Sequence, residues 1–207
     1  MTNYAKLLDA ELASIAEANS RPRLLLHACC APCSSYTLEY LTKYFDITLF
    51  FYNPNIAPKE EYDFRAEELR RFLSVHPVCG GVKLAVPTYD STPFFAIAKG
   101  LEDAPEGGER CKKCYRLRLM ETAKAAKDGG YDYFCTTLSI SPYKNAPALN
   151  EIGGELAKEY GVKYLYSDFK KKGGYARSIE LSTEYDLYRQ DYCGCVYSKL
   201  EAEKRRK

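Results

Sequence analysis

The sequence predicts an α/β protein in which helices flank a parallel β-sheet. Short, continuously apolar segments alternate along the chain with longer segments of helical periodicity. Strands that are buried on both faces have this apolar character, and they occur mainly in parallel sheets. Because no internal repeat or long linker interrupts the alternation, we expect a single α/β domain over residues 1–207.

The first half of the chain is predicted to contain three strands, each followed by a helix. RLLLHA and ITLFFY are apolar runs long enough for buried strands, and the turn NPN ends the second. A leading helix, with leucine and isoleucine at helical spacing, forms an N-terminal extension over residues 1–20. In order, the predicted elements are a helix at 4–19, a strand at 23–28, a helix at 34–44, a strand at 47–52, a helix at 59–73, a strand at 82–86 and a short helix at 94–99.

The second half is predicted to contribute two more strands and three helices. An acidic, glycine-bearing stretch at 101–109 indicates a loop that leads into the next helix. The predicted elements are a helix at 111–126, a strand at 131–136, a helix at 148–160, a strand at 162–166 and a helix at 178–185. Residues 196–207 form a basic tail, and charge alone leaves open a frayed solvated segment or a nucleic-acid contact.

Composition narrows the class of protein. The net charge of +2 is too small to establish nucleic-acid binding by itself. No apolar run approaches the roughly 20 residues that span a bilayer, and the N-terminal segment lacks the apolar stretch of a signal peptide. We therefore expect a cytoplasmic protein without membrane association. In that reducing compartment, grouped cysteines indicate metal ligands or redox centres rather than structural disulfides.

Seven of the nine cysteines lie in three short groups. The groups are Cys29-Cys30-x-x-Cys33, Cys111-x-x-Cys114 and Cys193-x-Cys195. One iron–sulfur cluster or one structural zinc ion uses four thiolates. The remaining three match a second ion with an open coordination position, which is the pattern of a catalytic metal. We expect residues 101–120 and 185–195 to form metal-binding insertions in the domain.

The first cysteine group directly follows the first predicted strand. Ligands of open parallel sheets bind beyond the carboxyl ends of the strands, so the cysteine groups are expected to meet at that edge. A nucleotide-binding protein would have a glycine-rich phosphate loop at this position. The sequence there is HACCAPCSS, which contains no glycine. We therefore expect that the protein does not use ATP.

Two further expectations concern this first group. Adjacent cysteines in an extended or turning backbone are expected to point apart, so we expect Cys29 and Cys30 to serve different metal centres or different atoms of one cluster. Pro32 favours the first turn of the following helix, whose N-terminus would stabilise thiolates. Taken alone, Cys30 and Cys33 also have the spacing of a thioredoxin-like redox pair.

Five segments resemble the QueH family of epoxyqueuosine reductases, formerly known only as a domain of unknown function. They are HACCAPC from His27, YNPNIAP from Tyr52, ERCKKCYRLRL from Glu109, TTLSISPYKN from Thr136 and FKKKGGYARSIELSTEYDLYRQDYCGC from Phe169. The resemblance covers most of residues 24–195 and is specific because the segments occur in combination. It implies a fold related to the nucleotide-binding (HUP-like) α/β group, with the phosphate loop replaced.

The resemblance also implies a reaction and its cofactors. The family reduces the epoxide of epoxyqueuosine, at the wobble position of tRNA anticodons, to queuosine in the last step of queuosine biosynthesis. It uses a 4Fe–4S cluster and an adjacent single iron, without cobalamin. An external electron donor such as ferredoxin or flavodoxin would supply the electrons. In some members the position that matches Cys33 holds Asp, so this chain would give the second metal an all-thiolate shell.

Within this scheme we assign candidate roles to individual residues. The cluster ligands are predicted to be Cys30, Cys111, Cys114 and Cys193, and the ligands of the single ion Cys29, Cys33 and Cys195. The candidate proton donors are His27, Glu180, Tyr188 and Tyr192. The candidate tRNA phosphate contacts are Lys144, Lys171, Arg177 and Arg189. The number of thiolate ligands, seven, comes from the sequence itself. Their assignment to the cluster or to the single ion is a separate expectation.

Three other functions are compatible with parts of the sequence. A tRNA sulfur-transfer enzyme on a cluster-bearing α/β scaffold would need ATP to activate the base, and the phosphate loop is missing. A zinc-stabilised RNA-binding module without catalysis would contain zinc alone. A thiol–disulfide enzyme would leave at least five of the grouped cysteines unexplained.

Overall fold

A five-stranded parallel sheet forms the centre of the protein in the computed structural model, which describes residues 2–206. The strands are β1 (Arg23–His27), β2 (Asp46–Phe50), β3 (Lys83–Ala85), β4 (Tyr133–Thr136) and β5 (Lys163–Tyr164). Their order across the sheet is β3-β2-β1-β4-β5, and all four neighbouring pairs are parallel. The predicted fold class is confirmed. Met1 and Lys207, the ends of the predicted domain and of the basic tail, lie outside the described residues.

Helices cover both faces of the sheet. They are α1 (Tyr4–Glu17), α2 (Ala31–Leu41), α3 (Lys59–Val75), α4 (Thr92–Ala98), α5 (Glu109–Asp128), α6 (Ala146–Tyr160), α7 (Gly174–Glu184) and α8 (Val196–Arg206). Short 3₁₀ turns occupy Pro77–Cys79 and Thr137–Ile140. Among the described residues, no helix combines the length and apolar character that crossing a bilayer requires.

The alternation of side chains along β1 explains why both faces are covered. Leu24 and Leu26 lie in one buried cluster with leucines of α1 and α2. Leu25, between them, lies in the other cluster with leucines of α5 and α6. Successive side chains of a strand point to opposite faces, so an uninterrupted apolar strand requires an apolar layer on each side. The apolar run RLLLHA is therefore satisfied only in the centre of the sheet.

The topology places a crevice at the carboxyl end of β1. From β1 the chain proceeds to β2 and β3 on one side, and then crosses to β4 and β5 on the other. His27, the last residue of β1, is paired in register with Phe50 of β2 and with Thr136 of β4. The three strands therefore end at the same level. In doubly wound sheets, this reversal of strand order is where ligands bind.

The basic tail is helical over the described residues rather than frayed. Helix α8 buries Ser198 and Ala202, and its Glu201 contacts Arg110 at 3.4 Å. Arg110 is 1% exposed and lies 4.4 Å from the ring of Tyr197. It also donates to three backbone carbonyls in the loop before α5, at 2.9, 2.9 and 2.5 Å. One buried guanidinium thus joins the loop, the start of α5 and the last helix.

This arrangement predicts that Arg110→Met destabilises the protein strongly. The substitution removes a buried guanidinium and leaves three partly buried carbonyls without their donor, so we expect the free energy of unfolding to fall by roughly 3 kcal/mol. Arg116→Met is the matched control on the same helix, because Arg116 is half-exposed and bonds the exposed Glu155 at 2.6 Å. An exposed pair contributes about 0–1 kcal/mol. Urea unfolding curves measure both variants, and equal losses would contradict the role of Arg110.

Candidate metal centre

Three cysteines converge where β1 leads into α2. The sulfur atoms of Cys29, Cys30 and Cys33 all lie within 4.8 Å of one another, and those of Cys29 and Cys30 are 3.7 Å apart. Cys29 and Cys30 are buried and Cys33 is half-buried. The Cys29 sulfur is also 3.6 Å from the hydroxyl of Thr137, which follows β4. Three thiolates at this spacing fit a single soft metal ion with a further position open.

The expectation that Cys29 and Cys30 point apart is wrong. The backbone bends at Cys29, and Cys30 is the N-cap of α2, whose first turn contains Pro32 as predicted. Because the chain is changing from strand to helix, the alternation that holds within a strand no longer applies between these two residues. The structure consequently groups Cys30 with Cys29 and Cys33, whereas the sequence-based division placed it with the other cysteine groups.

The other four of the seven grouped cysteines form a second group. Cys111 and Cys114 lie in the first turns of α5, while Cys193 and Cys195 lie just before α8. Burial is the main cause that raises the pKa of Cys114; Arg118 opposes it, the charges of the other three thiols add to it, and together these effects bring the pKa to about 12. Cys195 has its pKa raised by burial and then by Cys193. These mutual electrostatic effects place the four thiols in one region, although among the described residues only Cys29, Cys30 and Cys33 have sulfur atoms that all lie within 4.8 Å of one another.

Gly194 lets the loop that carries the last two cysteines pack against the segment that follows β2. Its φ of +111° lies in a region that side-chain-bearing residues rarely adopt. A Cβ here would lie 2.9 Å from Ile56 and 3.2 Å from Arg65. The carbonyl of Gly194 accepts from the backbone N–H of Ala57 at 3.0 Å. Only glycine allows the loop to pack this closely on the NPNIAP segment that follows β2.

A cavity of about 400 Å³ opens beside both cysteine groups. Cys29 and Cys33 of the first group and Cys193 of the second line it. The basic lining side chains are Arg65, Arg118, Lys144, Arg189 and Arg205, and the acidic ones are Glu106 and Asp191. Tyr143, Tyr175 and Tyr192 add aromatic surface. The excess of positive charge and the exposed aromatic rings suit an anionic ligand that carries an aromatic base.

Arg118 is the main residue of this site that sequence reasoning missed. Its side chain is buried, donating through Nη2 to Asn53 Oδ1 at 2.5 Å and through Nε to His27 Nε2 at 3.2 Å. Burial disfavours its charge, but the thiols of Cys114, Cys193 and Cys29 outweigh that effect and raise the pKa. The available signal was its position one helical turn after Cys114, on the same face of α5.

His27 occupies a buried position behind the cavity. Its Nδ1 lies 2.9 Å from the hydroxyl of Thr136, and Arg118 donates to its Nε2. Burial first, and then the charge of Arg118, lower the pKa of His27 to about 3. The imidazole is therefore neutral at physiological pH, and it lies behind the residues that form the cavity wall. In this arrangement His27 orients Arg118.

The other candidate proton donors are spread over three places. Tyr192 lines the cavity, with the Arg65 guanidinium 5.2 Å from its ring, and burial raises its pKa. Tyr188 packs at 4.9 Å against Phe64 on the surface. Glu180 is exposed and bonds Arg177 at 3.0 Å. The structure thus brings only Tyr192 of these residues to the cavity.

The predicted tRNA contacts divide in the same way. Lys144 and Arg189 line the cavity, although Lys144 is buried and bonds Glu106 at 3.1 Å. Arg177 is held by Glu39 at 2.8 Å in addition to its bond with Glu180. Lys171 is exposed and lies beside a separate small pocket near α1. The sequence shows which residues are basic, but it does not show that Lys144 and Arg177 are already paired with carboxylates.

The fold and the site together define an α/β protein with a cysteine triad that could hold a metal ion at the carboxyl end of β1, the edge at which parallel sheets bind their ligands. The family model described as "Epoxyqueuosine reductase QueH" matches residues 24–201. A protein of that name from Streptococcus pyogenes serotype M1 is 47% identical over 199 residues, covering 95% of this chain and 78% of the relative. Another, from Staphylococcus epidermidis, is 46% identical and covers 96% and 85% of the two chains. One from Thermotoga maritima is 38% identical, covering 86% and 91%. The chain belongs to the QueH family and is thereby an oxidoreductase.

Proposed function

We propose that this protein reduces epoxyqueuosine in tRNA to queuosine, the last step of queuosine biosynthesis, and acts where tRNA is found, in the cytoplasm. The observation that carries the proposal is the convergence of two cysteine groups on one positively charged cavity. The names of the relatives supply the substrate. The carboxyl end of β1 holds the cysteine triad in place of a phosphate loop, which weighs against ATP-dependent sulfur transfer.

The two groups suit two different metal centres. Cys111, Cys114, Cys193 and Cys195 would hold the 4Fe–4S cluster, since such clusters take four thiolates. Cys29, Cys30 and Cys33 would hold a single ion, which we take to be iron. When bound, the cluster would supply electrons one at a time, and the single ion would act as a Lewis acid. Cobalamin has no place in this scheme.

The residues of the cavity have separate tasks in the proposed reaction. Reduction of an epoxide to an alkene consumes two electrons and two protons and releases the oxygen as water. Tyr192 is the predicted proton donor that we retain, because its side chain is on the cavity wall. Arg118 keeps a fixed positive charge beside the thiolates of both groups, which limits their mutual repulsion as electrons are added. An external reductant such as ferredoxin or flavodoxin would restore the electrons.

The cavity rim offers contacts for an extruded anticodon base. Tyr143 is 73% exposed and lies in the short segment between the 3₁₀ turn Thr137–Ile140 and α6. Arg189 also lines the cavity and is placed to meet a phosphate, whereas Arg205, another lining residue, lies 3.6 Å from the carboxylate of Glu106. Exposed aromatic rings commonly stack on unpaired bases. An exposed tyrosine ring is not stabilised by contact with water, so a base that stacks on it would bury apolar surface. We propose that Tyr143 stacks on a base of the anticodon loop.

Tyr143→Ala should therefore weaken tRNA binding by about 5- to 150-fold, which corresponds to roughly 1–3 kcal/mol for one lost stack. Tyr143→Phe should bind nearly as well as the unchanged protein, because the ring remains. Tyr166→Ala is the control, since Tyr166 is 37% exposed but outside the cavity wall. Filter binding of the tRNA at fixed salt measures all three. Loss of affinity in the Tyr166 variant equal to that of Tyr143→Ala would contradict a specific stack.

The decisive experiment tests the reaction itself. Anaerobic, iron-reconstituted protein is incubated with tRNA that carries epoxyqueuosine and with a strong reductant. Mass spectrometry of the digested nucleosides then measures conversion to queuosine. We expect conversion that depends on both protein and reductant. Unchanged epoxyqueuosine with a fully loaded protein would refute the proposed function, and protein purified anaerobically from iron-replete cells with zinc alone would favour the RNA-binding module instead.

A further inference from the structure

Three buried side-chain donors of α5 have no partner among the described residues, and one of them, Nε of Arg110, belongs to the guanidinium that joins the loop before α5 to α8. The other two are the hydroxyl of Tyr115 and Nη1 of Arg118. Both side chains are 1% exposed. A buried polar group that makes no hydrogen bond costs about 1–3 kcal/mol, so an unpaired donor in a native protein calls for a partner. Because Tyr115 and Arg118 lie on the same helix, the acceptor missing from both hydrogen bonds is expected beside α5.

The spacing along α5 shows where that partner would be. Tyr115 comes four residues after Cys111, and Arg118 comes four residues after Cys114. Residues four apart lie on the same face of a helix, with their side chains adjacent. Each orphaned donor is therefore beside one cysteine of the four-cysteine group. The other contacts of Arg118, with Asn53 and His27, occupy Nη2 and Nε and leave Nη1 directed elsewhere.

The electrostatics of both residues agree with this placement. Burial raises the pKa of Tyr115, and the thiols of Cys111, Cys193 and Cys114 add to the effect while Lys144 opposes it. The thiols that act on Arg118 include Cys114 and Cys193 as well. Each donor thus responds to at least two members of the same group. Neither interaction requires either residue to change its protonation state.

We propose that Tyr115 and Arg118 are positioning residues that donate hydrogen bonds to the sulfur atoms of the centre held by the four-cysteine group. The inference rests on the proposed function, because it concerns the cluster assigned there. Hydrogen bonds to the sulfurs of an iron–sulfur cluster stabilise its reduced, more negative state and raise its reduction potential. The two donors then set the potential at which this centre accepts an electron.

Tyr115→Phe tests the hydroxyl with the least disturbance, because it removes one oxygen and keeps the ring. We expect the reconstituted variant to retain its iron and sulfide content and its fold. Its midpoint potential, followed by electron paramagnetic resonance, should shift to more negative values. At the midpoint of the unchanged protein, the reduced fraction should fall from half to about one tenth, a tenfold change in the reduction equilibrium. Tyr131→Phe, three residues beyond the C-terminal end of α5, is the control and should leave the potential unchanged.

Arg118→Lys provides a second variant that keeps the positive charge but loses the guanidinium geometry. It too should lower the potential while circular dichroism reports an unchanged fold. Unchanged potentials in both variants would overturn the inference while leaving the proposed reaction intact. Loss of the cluster from folded Tyr115→Phe would also overturn it, since ligation and not potential would then depend on the hydroxyl. Absence of a cluster from the unchanged protein would overturn the inference together with the proposed cofactor.

Discussion

Cys195→Ala should remove the iron–sulfur cluster while leaving the single ion in place. Cys195 is buried, and the backbone N–H of Ser198 donates to its sulfur at 3.4 Å. Burial, and then the charges of Cys193 and Cys111, raise the pKa of Cys195, which is consistent with a shared site, and alanine offers no ligand there. A cluster that loses one of four thiolates is expected to be unstable. Sulfide should fall from about four per chain to near zero, and reductase activity to background.

Anaerobic iron and sulfide analysis, paired with electron paramagnetic resonance, measures this outcome. Cys79→Ala is the matched control, because Cys79 is equally buried but lies outside the three cysteine groups. Its pKa is raised to about 12 by burial alone. That variant should keep about four sulfides. Retention of the sulfide in Cys195→Ala, with loss of about one iron, would instead support the division in which Cys195 binds the single ion.

The fold class could be predicted because the apolar pattern of each segment agrees with the burial of that segment in the structure. The run RLLLHA can be satisfied only as a central strand, and Pro32 starts α2 close to where the chain must turn. The edge at which the cysteines meet also follows from the parallel topology. The order of the strands could not be predicted from the sequence. Each strand carries similar apolar residues, and which strands pair depends on contacts across the whole sheet.

The site was less predictable, because its details depend on residues far apart in the chain. Arg177 was a candidate phosphate contact, but it pairs with Glu39, which is 138 positions away. For the tail after Cys195, charge left open a frayed segment or a nucleic-acid contact, whereas Glu201 of α8 meets Arg110. Charge and spacing reveal which groups are present, but not which of them neutralise one another. Arg118 illustrates the converse, because its role depends on cysteines from both ends of the chain.

Cys30→Ala separates the structural grouping from the division expected from sequence. Cys30 is 1% exposed, and its sulfur lies 3.7 Å from that of Cys29. If the triad holds a single ion, the variant should lose about one iron per chain, keep about four sulfides and lose reductase activity. The remaining two thiolates would bind the ion too weakly to retain it, since structural and catalytic sites of this kind use three or four protein ligands.

Cys33→Asp is the control for that variant, because it keeps three anionic ligands. It should retain both the single ion and the cluster, with activity reduced less than in Cys30→Ala. Iron and sulfide counts distinguish the outcomes directly. Loss of sulfide from Cys30→Ala would place Cys30 on the cluster and contradict the grouping by geometry. Loss of the ion from Cys33→Asp alone would mean that the half-buried thiol of Cys33 contributes a softness that a carboxylate cannot replace at this site.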